Sequence, residues 1–435
     1  MFQPFHCVLP CCLAAALIVC GSVSAPAESP TSFTLANGLH VRLVPEPDPG
    51  NMSVLLAVRA GMLQERKGES HLAHITEHAT VFDLGDASLV ETVNDWFPQN
   101  RANAETLGEL MYFDLHGKRA DLRKALAIDA ARLGGMNYSP ATLEREIPRA
   151  LAEVEHLLKV PGGMGKFALI PFAQAALFGQ SKVPLYQRTK TIGVEEVRDF
   201  HDRCFGVESA RLVVVGDFDT AQTRRDIESR FAQLPRGKAP LPPRPALVPG
   251  KRRVHWDVSA RHWFIAWQIP AVDEADYPAL YLAGRLLQER LFNSTDHAAS
   301  RPLVQTDFER MLVIGCEASN ADSFETLPKR IVAETARLSQ PGALDDATLR
   351  SFCDQLDRFQ RTDLGSVPLP AGLTRTMGRT NIELQRLTVE MVAGDFDDFL
   401  KKLRTVSPTA ARAAIAKWLS ADQACIVEVL PEGDG

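Results

Sequence analysis

The stretch His71-Leu72-Ala73-His74-Ile75-Thr76-Glu77-His78 carries the reading of the whole chain. Within it lies H-x-x-E-H, formed by His74, Glu77 and His78. On a helix, residues i and i+4 share a face, so both imidazoles can reach one metal ion. Glu77 falls three residues after His74 on the same side, where its carboxylate can act on a metal-bound water. The spacing predicts a helix from about Ser70 to Phe82.

A catalytic metal of this kind takes three protein ligands and keeps one position open. The third ligand is sought in Leu143-Glu144-Arg145-Glu146-Ile147-Pro148-Arg149-Ala150-Leu151-Ala152-Glu153-Val154-Glu155-His156. Glu146 and Glu153 are seven residues apart and share a helical face, whereas Glu155 points elsewhere at roughly 100° per residue. Glu153 is therefore expected as the ligand, with Glu146 as a carboxylate behind it that orients it or a histidine. An acidic, solvated helix face is the plainer explanation of such a segment, and the histidine motif is what outweighs it. His71 lies on the same face as His74; a polar residue of the helix's first turn is preferred over a metal-site partner or substrate contact. His156, three residues after Glu153, could lie near the metal or simply be exposed.

The totals fit an ordinary soluble globular protein of two to three domains: 435 residues, 45% hydrophobic, 23% charged. A net charge of −6 and the lack of any long basic run exclude a dedicated nucleic-acid binder. The N-terminus differs in character. Residues 7–25 (CVLPCCLAAALIVCGSVSA) are almost wholly apolar and run into Ala25-Pro26-Ala27, the pattern of a secretory signal cut after Ala27. The expectation is export to a periplasm or the exterior with no stable membrane span after cleavage. A lipid anchor on Cys20 is the alternative, weakened by the bulky Val19. Four cysteines lie in that segment; Cys204, Cys316, Cys353 and Cys425 are widely spaced and read as single thiols rather than a disulfide framework.

Beyond the signal, residues 32–44 read strand, Asn-Gly turn, strand, and Ser53 to Gly61 reads as another strand. Asn103 to His116 reads as one further strand, Leu122 to Leu133 and Pro140 to Lys159 as helices, and Arg211 to Phe218 as a buried strand before a helix from Thr220 to Gln233. Residues 235–250 are Pro-rich and basic, a stiff linker. From Lys251 the same plan recurs, with strands at Trp263 to Ile269, Leu312 to Ala318 and Ala424 to Leu430 and helices between them. The helix in the position of the histidine motif, Tyr281-Leu282-Ala283-Gly284-Arg285-Leu286-Leu287-Gln288-Glu289-Arg290, has no histidine. The expected divisions are a signal at 1–27, a metal-binding domain at 28–234, the linker at 235–250, and a second domain of similar fold without metal at 251–435.

These residues resemble the pitrilysin/insulinase metallopeptidases, which include the mitochondrial processing peptidases and carry H-x-x-E-H rather than H-E-x-x-H. Asn37-Gly38-Leu39 is similar to their opening strand pattern, residues 73–78 to their zinc helix, Asn103-Ala104-Glu105-Thr106 to their N-A-x-T strand, Glu146 and Glu153 to their paired glutamates, and Val215-Gly216-Asp217 to the end of their first domain. The resemblance implies an α+β fold: two similar α/β-sandwich domains in tandem forming half of a clamshell, one Zn2+ per chain on His74, His78 and Glu153, and Glu77 as general base for hydrolysis of peptides or unfolded segments. It implies that peptide substrate adds as a strand beside Asn103 and Ala104. It also implies a homodimer or a heterodimer with a related subunit. Three departures stand out. The family commonly has Gly where His71 stands. The segment 82–86 lacks the usual Gly-Thr, and the second half shows no convincing counterpart, around Arg301, of the Arg and Tyr of active members. The competing expectation is a peptide-binding or scaffold subunit with little or no catalysis, and a remoter one is a metal-dependent hydrolase acting on something other than peptides.

Overall fold

The structure, a computed structural model, describes residues 29–134, 136–158, 167, 169–182, 185–237, 245–256, 261–292, 300–308, 310–318, 321–365, 369–370 and 372–432. The expected signal, Cys20 within it and the middle of the expected linker lie outside the described residues.

Two mixed sheets organise the chain. The first contains β1 (Thr31–Thr34), β2 (His40–Pro45), β3 (Asn51–Val58), β4 (Ala102–Thr106), β5 (Met111–Lys118) and β6 (Ala210–Gly216), in the order β1-β2-β6-β3-β5-β4. The second contains β7 (Gly250–Trp256), β8 (Arg261–Gln268), β9 (Ser300–Phe308), β10 (Met311–Ala318) and β11 (Cys425–Pro431), in the order β7-β11-β8-β10-β9. Setting β1 aside, the two orders are one pattern: a parallel pair at one end (β2 with β6, β7 with β11), then antiparallel neighbours to the far edge. The expected α+β fold of two similar sandwiches is thus the one observed.

The helices of the first half are α1 (Leu72–Phe82), α2 (Ala87–Trp96), α3 (Leu122–Leu133), α4 (Pro140–Leu158), α5 (Leu169–Phe178), α6 (Leu185–Thr189), α7 (Val194–Cys204) and α8 (Thr220–Phe231). Those of the second are α9 (Tyr277–Phe292), α10 (Ala321–Leu338), α11 (Asp346–Gln360), α12 (Arg375–Ala393), α13 (Phe396–Arg404) and α14 (Pro408–Trp418). The predicted helix at Leu122 to Leu133 has the observed bounds, and α4 runs through Pro148 without a break. One expectation is corrected: residues 103–116 are not one strand but the hairpin β4–β5, closed by a Leu107 N to Leu110 O hydrogen bond.

Strands buried on both faces supply the reason for the layering. In β3, Val54, Leu56 and Val58 face a core shared with Ala73, Ile75, Leu126 and Phe200, while Leu55 and Ala57 face Leu384, Leu387 and Met391 of α12. In β8, Trp263, Ile265 and Trp267 face Leu282, Leu286 and Phe399, while Phe264 and Ala266 face α5. Alternate residues of a strand point to opposite sides, so a run with no polar residue needs a cover on each face. The outer cover is exchanged: α5, from the first half, lies on the second sheet, where Phe172 stacks on Phe264 at 5.0 Å. In return α12, from the second half, lies on the first, fixed by Glu383 to Arg42 and Arg379 to Glu46.

Candidate metal centre

The helix that carries the histidines is held from three sides. Its N-terminal residue, His71, has φ 72° and ψ 3°, a left-handed backbone that costs a residue with a Cβ roughly 1–2 kcal/mol. The His71 side chain does not cap the helix; Glu65 does so from outside, its Oε1 accepting from Ala73 N at 3.0 Å. Burial pushes the Glu65 carboxyl up to about 8, against hydrogen bonds from the backbone of Ala73 and His71 that pull it down. The turn that precedes it docks on the β4–β5 loop so closely that a Cβ on Gly61 would sit 2.3 Å from the Gly108 carbonyl oxygen. On its other side α1 packs against α4 and β4.

This brings His74, His78 and Glu153 together, one donor atom of each lying within 4.8 Å of the others. Glu153 Oε2 stands 3.5 Å from His74 Nε2 and 3.4 Å from His78 Nε2. A tetrahedral ion with ligands at about 2.0–2.1 Å sets its donors about 3.3–3.4 Å apart, so these spacings are those of a tetrahedron's edges. They are long for hydrogen bonds, which peak at about 2.9–3.0 Å. The two imidazoles and one carboxylate fit a divalent zinc-type ion, with a fourth position left for another ligand.

The far nitrogen of each histidine is also engaged. His78 Nδ1 lies 3.4 Å from Glu146 Oε2, and Glu146 Oε1 accepts from Arg145 Nε at 2.6 Å and Arg149 Nη1 at 2.8 Å. Burial would raise the Glu146 carboxyl, but the hydrogen bonds from His78 and Arg145 hold it below its ordinary value. Burial likewise opposes a charge on His78, yet Glu146, Glu153 and Glu77 raise its pKa to about 9 without a metal. His74 Nδ1 lies 2.8 Å from His71 Nε2. His71 itself is wholly buried, and burial with its neighbours His74 and His78 drives its pKa well down. The expectation of an ordinary first-turn polar residue therefore fails: the left-handed turn directs its ring inward, against His74 and Phe167.

Glu77 is buried on the same helix, and its Oε2 accepts from Thr106 Oγ1 at 2.6 Å. Thr106 ends β4, which among the described residues is an edge strand of the first sheet. Asn103 is exposed on that edge and Ala104 half-buried, paired with Asp114 and Phe113 of β5. His156 and Glu155 are exposed on α4, and neither is among the three residues of the cluster. Sequence reasoning gave Thr106 and Thr189 no role. Thr106 stands in the quoted N-A-x-T segment, whereas nothing local marks Thr189, which meets His71 across 118 residues.

The sequence profile described as the peptidase M16 inactive domain matches residues 191–361, beyond every residue of the cluster. No curated protein matches the chain. Among solved structures, a protease from Helicobacter pylori aligns with a TM-score of 0.68 and 19% identity over 93% of this chain and 100% of its own. The first half of the periplasmic protease PqqL from Escherichia coli aligns at 0.58 and 16% over 95% and 94%. A variant of the ferredoxin protease FusC in complex with Arabidopsis ferredoxin aligns at 0.60 and 19%, over 94% of this chain but 48% of that longer one. The chain thus has the half-clamshell fold of M16-type peptidases, with a three-donor cluster built into its first half.

Proposed function

We propose that the chain is a zinc-dependent endopeptidase that hydrolyses peptides or unfolded polypeptide segments. The observation that carries this is the placing of Glu153 at tetrahedral-edge distances from His74 and His78, beside Glu77 and next to an edge strand. Zinc held there would lower the pKa of a water towards about 7 and polarise the scissile carbonyl. With Oε2 of Glu77 accepting from Thr106, its carboxylate would take the proton of that water and pass it to the leaving amine. A peptide lying antiparallel or parallel along β4 would use the backbone of Asn103 and Ala104 and bring its own carbonyls toward Glu77. Glu146 and its two arginines keep His78 oriented.

Several features support an exported chain working with a second one. The N-terminal apolar run has the form of a secretory signal. PqqL is periplasmic, and its first half alone matches nearly all of this chain. FusC joins twice this length in one polypeptide, so a homodimer or a related subunit would supply the other half. Among the described residues no helix is long and apolar enough to cross a membrane.

A peptide-binding or scaffold role is the second reading, favoured by the matching profile's being that of an inactive domain. One experiment separates them: metal content of the purified mature chain and its digestion of a mixed peptide library, with Glu77→Gln alongside. Bound zinc and cleavage that disappears in Glu77→Gln support the enzyme. Zinc without cleavage in the dimeric chain supports the scaffold, and absence of zinc refutes the metal site.

A further inference from the structure

We infer that His71 and Thr189 form a relay that fixes the tautomer of His74, leaving its Nε2 as a lone-pair donor aimed at Glu153 and His78. This rests on the metal-site reading above and adds to it two residues that position a ligand without touching the ion.

The argument is one of hydrogen-bond direction. The Thr189 hydroxyl has one hydrogen, and it is spent on the Leu185 carbonyl at 2.7 Å. Its oxygen can then only accept from His71 Nδ1, 2.8 Å away, so that nitrogen carries a hydrogen. In a neutral imidazole the other nitrogen is an acceptor. His71 Nε2 therefore accepts from His74 Nδ1 at 2.8 Å, and His74 Nε2 is left bare, 3.5 Å from Glu153 Oε2. The opposite polarity would put a hydrogen on His74 Nε2 and aim a donor into the cluster. His78 has no such relay; its Nδ1 faces a carboxylate instead, Glu146 Oε2 at 3.4 Å.

Two features of the fold are accounted for by this relay. His71 holds a left-handed backbone that glycine would adopt without strain, and in that turn its ring reaches Thr189 of α6. Thr189 is wholly buried at the last position of α6, where its hydroxyl reaches both the carbonyl one turn back and His71.

The test uses full-length chain with 15N-labelled histidine. Long-range proton–nitrogen spectra of the zinc-free protein report which nitrogen of each ring carries hydrogen, and competition with a chelating dye reports zinc affinity. His71→Gly keeps the backbone turn and removes the ring, so folding is preserved. Thr189→Val removes the hydroxyl, and Thr189→Ser restores it. The wild type should show hydrogen on Nδ1 of His71 and His74. His71→Gly should lose that preference at His74 and bind zinc about 10–100-fold more weakly. Thr189→Val should shift the same signals, and Thr189→Ser should return them. Hydrogen on His74 Nε2 in the wild type, or an unchanged His74 tautomer and zinc affinity in His71→Gly, overturns the relay. The metal-site reading fails separately, if His74→Ala binds zinc as the wild type does or neither binds it; the spectra of the zinc-free chain still decide the relay.

Discussion

Thr106 at the end of β4 donates a 2.6 Å hydrogen bond to Glu77 in the middle of α1, tying the sheet edge to the helix that carries the histidines. The bond engages one carboxylate oxygen, Oε2, and holds the side chain against the strand. Thr106→Val keeps shape and removes the donor. We expect turnover to fall about tenfold, as for the loss of one hydrogen bond of roughly 1.4 kcal/mol. Zinc content should not change. Steady-state kinetics beside metal analysis reads both, and unaltered turnover would remove Thr106 from the scheme.

Glu77→Gln should retain zinc and lose about 10²–10⁴-fold in turnover, because an amide cannot take the proton. His74→Ala and His78→Ala should lose the metal itself, each deleting one of three donors. Dialysis against a chelator should abolish cleavage by the wild type, and added zinc should restore it. Cleavage that survives full metal removal is the outcome that defeats this.

Glu146→Ala deletes the carboxylate that orients His78 but none of the three donors. Zinc affinity is expected to drop about tenfold or more. The arginines it releases are half-exposed and find water, so the thermal midpoint should move little. A chelator titration that matches the wild type would contradict it.

Glu65 supplies a pH dependence whose sign can be worked out. Its folded pKa, about 8, lies above an ordinary value of 4.5, so the folded state holds this proton more tightly. Its contribution is complete below the unfolded value and is lost as pH rises through the folded one. Stability of the metal-free chain should decline from about pH 4.5 to about pH 8, and Glu65→Gln should flatten that slope. Denaturant midpoints across this range measure it, and identical slopes in the two proteins would show that the proton is held elsewhere.

Much of this was legible in the sequence because it is periodic. His74, Glu77 and His78 follow from helix geometry, and the seven-residue spacing of Glu146 and Glu153 put both on the face of α4 that meets α1. The repeated plan showed in strands such as Arg261–Gln268, whose unbroken apolar run signals burial on both faces. What escaped depends on distance along the chain. The role of Thr189 exists only after α6 folds back on α1, and a histidine at position 71 looks like any first-turn polar residue until its φ is known. Residues 103–116 read as one strand because Leu107-Gly108-Glu109-Leu110 has only one residue of strong turn character. The placing of α5 and α12 was invisible for a related reason: an apolar helix face announces that it will be covered, not by which half.

That placing has a consequence for how the chain can be divided. Expressed alone, either half would expose a sheet face meant for a helix it does not own, with Phe264 and Val427 bare in one fragment and Leu55 and Val213 bare in the other. Supplied together, the fragments carry each other's missing layer. A break in the backbone between them would leave a clasped pair, assembled as a split protein is, and the half that carries the histidine cluster would depend for its solubility on the other.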